Sequence, residues 1–257
     1  MKVLQEFIRF VIIAIGITFF ILPIYASSLF AFRQKDGSFS AAPLQSAAEN
    51  RELVDSLILT LQIALGTVVI TLLLLIPTIA YLHIVLPKAR TWVEFLTLTP
   101  LIIPPIVQGV GFLYSMPTSL KATPYALILA YVILALPFSY RAIDAAFSTI
   151  DIRTLYDAAR SLGANFFVIV SRALIPNVLT GIFGAIFLAI AMVLGEFAFA
   201  SLLLWDTFPT MLAVAGMSSA ATAVALSVLS LVGVWLLLVG ISLFSRRDRH
   251  SVFIGGK

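Results

Sequence analysis

Runs of about 20 apolar residues, set apart by short polar or basic segments, constrain this chain more than any other feature. A helix rising 1.5 Å per residue needs about that length to cross a hydrocarbon layer roughly 30 Å thick. Such runs occur at about 10–32, 53–86, 92–116, 124–142 and 178–204. A last one ends near Phe244, its start blurred by the thin polarity between Met211 and Thr222. With 61% hydrophobic and 11% charged residues and a mean hydropathy of +1.10, the chain is a poor match to a soluble domain; those carry about 25% charged residues. The expected fold is all-α, a polytopic membrane protein of about six transmembrane helices making one transmembrane domain over residues 1–257. The first run is too long for a signal-peptide core and lacks a small-x-small cleavage site, so it is read as a helix that stays attached.

The residues that are missing exclude much chemistry. There is no Cys and there are two His, His83 and His250, which removes disulfides, iron–sulfur clusters, thiol chemistry and a histidine-rich metal site. No Gly-x4-Gly-Lys-Ser/Thr loop is present to hold nucleotide phosphates, and no Ser/His/Asp grouping or paired acidic motif lies in the apolar runs. The chain is therefore expected not to be an enzyme and to hold no cofactor. Any work it does draws on another subunit or on an ion gradient. The formal charge of +4 does not point to nucleic acid, because the basic residues are dispersed. They serve instead as topology signals. With six spans, Lys2, Arg9, Lys88, Arg90, Arg141, Arg153, Arg160, Arg172, Arg246, Arg247, Arg249 and Lys257 share one side, and Arg33, Lys35, Arg51 and Lys121 the other. Twelve against four puts both termini on the cytoplasmic side.

On that same side lies the longest polar-punctuated segment, Asp151 to Asn177. Ile152, Leu155, Ala159 and Leu162 recur at the spacing of one helical face. Asp151 suits an N-cap and Gly163 a left-handed residue just past the helix end. Asn165 can cap a second short helix that Pro176 stops, so the pair forms a knob with a right-angled break.

The order Asp157-Ala158-Ala159-x3-Gly163-x9-Ala173-x-Ile175-Pro176 resembles the cytoplasmic loop of binding-protein-dependent ABC importer permeases, whose pattern runs Glu-Ala-Ala-x3-Gly-x9-Ile-x-Leu-Pro. Asp stands here for Glu, Ala173 for Ile and Ile175 for Leu, with the spacing to Pro176 intact. The third apolar run adds Pro100-x3-Pro104-Pro105-x3-Gly109, and the resemblance covers about 53–244. It implies a type I importer permease forming half of a two-permease pore, closest to the polyamine, ferric iron and phosphonate branch. The implied partners are two ABC ATPase subunits, which bind the ATP and magnesium, a second permease (the same chain or another) and an external solute-binding protein. The implied home is the cytoplasmic membrane of a bacterium or archaeon. Asp157, Ala158, Ala159, Gly163 and Pro176 would then seat the loop in an ATPase groove, at least one of the two alanines facing it.

Two features inside the spans invite a functional reading. Pro104 and Pro105 kink the third run and free carbonyls that need partners. Glu196 is a strongly polar residue within the fifth run, roughly 27 Å from its cytoplasmic entry at 1.5 Å per residue. It either lines the solute path or a gate, or is a hydrogen-bonded carboxylate fixing one helix to another. An ion-coupled secondary carrier using Glu196 is the rival to an ABC permease. Such a carrier predicts inverted repeats and further charges at mid-membrane.

Overall fold

The computed structural model describes the backbone of residues 2–33 and 37–251. Its helices are α1 (Lys2–Phe32), α2 (Ala42–Glu49), α3 (Arg51–Ile84), α4 (Arg90–Ile102), α5 (Pro105–Ser115), α6 (Thr118–Lys121), α7 (Ala126–Phe147), α8 (Ile152–Ser161), α9 (Phe166–Ile169), α10 (Leu179–Gly195), α11 (Ala198–Leu202), α12 (Phe208–Ser218) and α13 (Ala220–Ser251). Among the described residues there is no strand, and an isolated bridge pairs Arg33 with Phe39. The protein is all-α and polytopic. Gln5–Phe32, Arg51–Ile84 and Ala126–Phe147 are each long and apolar enough to cross a membrane. Two bent helix pairs raise the number to five if each is one crossing.

The expected sixth run falls on α12 and α13. Their described apolar stretches, Phe208–Ser218 and Ala220–Leu236, are both short for a crossing. The basic cluster 245–250 lies in the backbone of α13, but its side chains, like Lys35 and Lys257, lie outside the described residues.

The chain divides into two compact units. In the unit formed by Met1–Asp55 and Met211–Trp235, α1 packs against α2, whose first turn holds Pro43 where its missing N–H costs nothing. Ala31, Ala47 and Ala225 are buried there, while most of α1 keeps its apolar side chains exposed. A helix apolar all round requires lipid or another protein about it.

In the unit containing Ser56–Thr210, α7 is the centre. It buries Leu127, Tyr131, Leu134, Tyr140, Ile143 and Phe147, with α10 and α4 packed on it. The stripe Gly181, Ala185 and Ala189 lets α10 approach closely, and all three are buried. A Cβ added at Gly181 would lie 2.6 Å from the Ala142 carbonyl oxygen and closer still to Ala146 Cβ. Gly181→Val is therefore expected to force α7 and α10 apart, an overpacking cost of about 1–3 kcal/mol. Thermal unfolding in detergent checks this, and an unchanged midpoint would mean the helices can slide to make room.

Two expected spans are broken rather than merely bent. In the third, the arms Pro87–Ile102 and Pro105–Ser115 meet at 100°. Consecutive prolines cause it: Ile103 is held extended (φ −89°, ψ 127°) by the ring that follows, and two backbone donors are missing. Gln108 compensates, its side-chain amide donating to Pro100 O at 2.5 Å and to Ile103 O at 2.7 Å. The fifth helix stops at Gly195, where the expected run continued to Leu204, and α11 begins after Glu196 and Phe197. The fourth helix runs to Phe147, past the expected end at Ala142.

Candidate functional site: the α8–α9 knob and the charges beneath it

Asp151 caps α8 as expected. One carboxylate oxygen accepts from the Thr154 amide at 3.3 Å and the other from the Thr154 hydroxyl at 2.7 Å. These bonds hold the carboxyl below its ordinary value, so the cap is charged at neutral pH and weakens only as pH falls through that lowered value. Asn165 caps α9 by accepting from Val168 N at 3.0 Å. Between the caps, Gly163 has φ +83°. Its amide donates to Arg160 O at 2.9 Å and that of Ala164 to Ala159 O at 3.2 Å, a Schellman ending that closes both orphan carbonyls.

The inward face of α8 is Ile152, Leu155, Tyr156 and Ala159. They pack on a cluster that includes Ile79, Ile143, Phe147, Ile169 and Leu174, so the knob rests on the ends of α3 and α7. Ala159 thus faces inward and Ala158 outward, with Asp157, Arg153 and Arg160. Leu162 departs from the expected face. It is 88% exposed, because the helix ends at Ser161 and the reversal at Gly163 turns it out. Phe167, at the start of α9, is 76% exposed as well, which leaves two large apolar side chains uncovered around the α8–α9 turn.

Pro176 sits in a terminal 3-10 turn, Ile175–Asn177. Without an N–H it cannot bond the carbonyl of Arg172, and the preceding turn, Val170–Leu174, widens to π geometry. Asn177 closes the end by donating to Ala173 O at 2.7 Å. A right angle does occur, and it lies between Phe166–Asn177 and Leu179–Gly195, which meet at 85°.

Glu196 is not in a helix interior. It is the C-cap of α10, extended at φ −87° and ψ 117°, and 7% exposed. Both carboxylate oxygens accept from Phe199 N at 3.1 Å, so the group caps α11. Close to it is the buried Tyr131 hydroxyl, without the geometry of a formed hydrogen bond. Pro104 and Pro105 lie at the other break, both exposed.

Four residues went unseen in the sequence: Gln108, and the group His83, Arg90 and Asp144. An amide in an apolar run four residues after Pro104 was the available signal for Gln108. Asp144 was hidden because the fourth run was ended at Ala142, which put it in a loop. It is 8% exposed on α7. It accepts from Arg90 Nε at 2.8 Å and Nη2 at 2.6 Å, and pairs with His83 Nε2 at 2.9 Å.

Among known proteins, no family model matches the chain. Over 160 residues it is 31% identical to a protein of Haloferax volcanii named a probable molybdenum ABC transporter permease protein. The match covers 57% of this chain and 58% of that protein, so the chain spans less than two thirds of the relative's length.

Proposed function

We propose that the chain is a permease subunit of an ATP-driven ABC importer, forming half of the pore for a small solute delivered by an external binding protein. The observation that carries this reading is the knob. Two capped helices are joined by a left-handed Gly163, seated on the ends of α3 and α7 and tipped with exposed Leu162 and Phe167. A rigid projection with an uncovered apolar tip is suited to a groove on a partner, and the relative's name supports an ATPase as that partner. The basic-residue count supports a cytoplasmic knob, and it puts both termini on the same side only for an even number of crossings.

The solute is proposed to be an oxyanion, in keeping with the relative's molybdenum, rather than a polyamine. A buried carboxylate left without a partner would favour a polycation. Among the described residues the buried carboxylates are Asp144 and Glu196, and both are engaged, by Arg90 and His83 and by the Phe199 amide. The same fact weighs against a proton- or cation-coupled carrier built on Glu196.

The test is reconstitution with ATPase and binding protein in lipid particles, measuring ATP hydrolysis with and without molybdate or spermidine. Molybdate is expected to stimulate hydrolysis and spermidine not to. Ala158→Trp, on the outward face, is expected to reduce stimulation at least tenfold, a docking loss of about 1.4 kcal/mol or more. Uptake by the chain alone would sink the reading.

A further inference from the structure

Beneath the knob, α4 is tied to α7 by two charge pairs set side by side. Arg90 of α4 binds Asp144 of α7 through one edge of its guanidinium, Nε at 2.8 Å and Nη2 at 2.6 Å. One turn along, Glu94 of α4 meets Arg141 of α7 at 3.4 Å. The two pairs differ in kind. Glu94–Arg141 is exposed, and such pairs contribute little. Asp144 is buried and receives three side-chain bonds, from Arg90 twice and from His83 at the last turn of α3. Arg90 Nη2 also donates to Ser148 Oγ at 2.7 Å, and that hydroxyl donates to Asp144 O at 2.8 Å. One carboxylate thus joins the ends of α3 and α7 and the start of α4.

Its position bears on the mechanism. Asp144 lies one turn before the segment leading into α8, and the His83 ring is 5.8 Å from that of Phe147, which belongs to the cluster under α8. On the other side, α4 is the first arm of the span broken at Pro104. We infer that Asp144, Arg90 and His83 form a latch that makes α4 move together with the α8 knob, carrying displacement of the knob to the broken span. They are positioning residues, and their link to transport rests on the permease reading above. A buried carboxylate with a forked guanidinium suits this task, since two parallel bonds fix orientation as well as distance.

The chain has no cysteine, so labels at Thr91→Cys on α4 and Ser161→Cys on α8 are the only thiols. Electron paramagnetic resonance on the permease in lipid particles then reads the spread of α4–α8 distances without any ATPase. Asp144→Asn and Arg90→Gln are expected to broaden a narrow wild-type distribution at unchanged helix content, Arg90→Lys to broaden it less, and Glu94→Gln to leave it alone. In the assembled transporter the first two should lower the ratio of solute-stimulated to basal ATP hydrolysis by about fivefold, the lower end of allosteric coupling factors, without loss of assembly. An unchanged distance distribution in Asp144→Asn and Arg90→Gln overturns the latch, as does equal broadening in Glu94→Gln. A wild-type protein that never stimulates an ATPase would defeat the permease reading instead, and the distance measurement would still decide the latch.

Discussion

Gly163→Val is expected to abolish solute-stimulated ATP hydrolysis while the membrane helices stay folded. At φ +83° a β-branched residue is a genuine outlier, with a strain of about 1–3 kcal/mol where the surroundings hold it in place. The chain relieves that strain by leaving the left-handed region, and the bonds from Gly163 N to Arg160 O and from Ala164 N to Ala159 O are then lost together. Nothing lies within 4 Å of a Cβ at this position, so the effect is conformational and not a clash. The consequence is directional. Leu162 and Phe167 owe their outward placement to this reversal, and the tip loses its shape when the reversal opens. Circular dichroism should stay at the wild-type level, while stimulation of a partner ATPase falls to background. Gly163→Asn should retain part of it, because asparagine tolerates the left-handed region. Wild-type stimulation in the valine variant would show that this knob is not the coupling element.

Glu196→Leu is expected to cost more stability than any other single change at the breaks, because it strips the cap from α11 inside a buried cluster that holds Tyr131, Val193 and Phe199. Phe199 N is buried and bonds to the two Glu196 oxygens. An amide left unpaired in such a place costs about 1–3 kcal/mol. Phe199 packs with Tyr131, Val193 and Ala200 and sets its ring edge-on to Phe112 of α5, so a loosened α11 disturbs the broken span as well. Glu196→Gln keeps an acceptor for Phe199 N and should be nearly silent in stability. Thermal unfolding and molybdate-stimulated hydrolysis, measured on both variants, separate the two roles. A stable glutamine variant with altered transport would put the carboxylate on the solute path. Loss of stability in leucine alone would assign it to the fold.

Ala159 shows how an exposed-looking motif divides in three dimensions. Ala158 and Ala159 are chemically equivalent in the sequence, yet one turns outward and the other packs on the cluster under α8. Ala159→Trp would consequently damage the seat of the knob, and Ala158→Trp is the change that probes docking alone. Leu162 makes the same point in reverse. Its spacing matched the inward face, but helical periodicity ends where the helix does, and the left-handed residue after it sends the side chain out.

Much was legible from local chemistry. Apolar run length determined that the chain is a helical membrane protein. Short polar side chains at Asp151 and Asn165 marked the two caps, and Gly163 marked the reversal, because each acts on backbone groups within three residues. Paired prolines marked a defect in the third span. What the tertiary structure alone decided depends on distant partners. That Pro104 and Pro105 break the helix by 100°, with Gln108 reaching back to two carbonyls there, depended on contacts beyond the local pattern. That Glu196 caps α11 depended on where α10 stopped, which no apolar pattern marks. Asp144, Arg90 and His83 stand 54 and 61 residues apart in their pairings and became one cluster only when α3, α4 and α7 met. A sequence pattern reports what a side chain does to its own helix, and it is silent on charges that are satisfied only by another one.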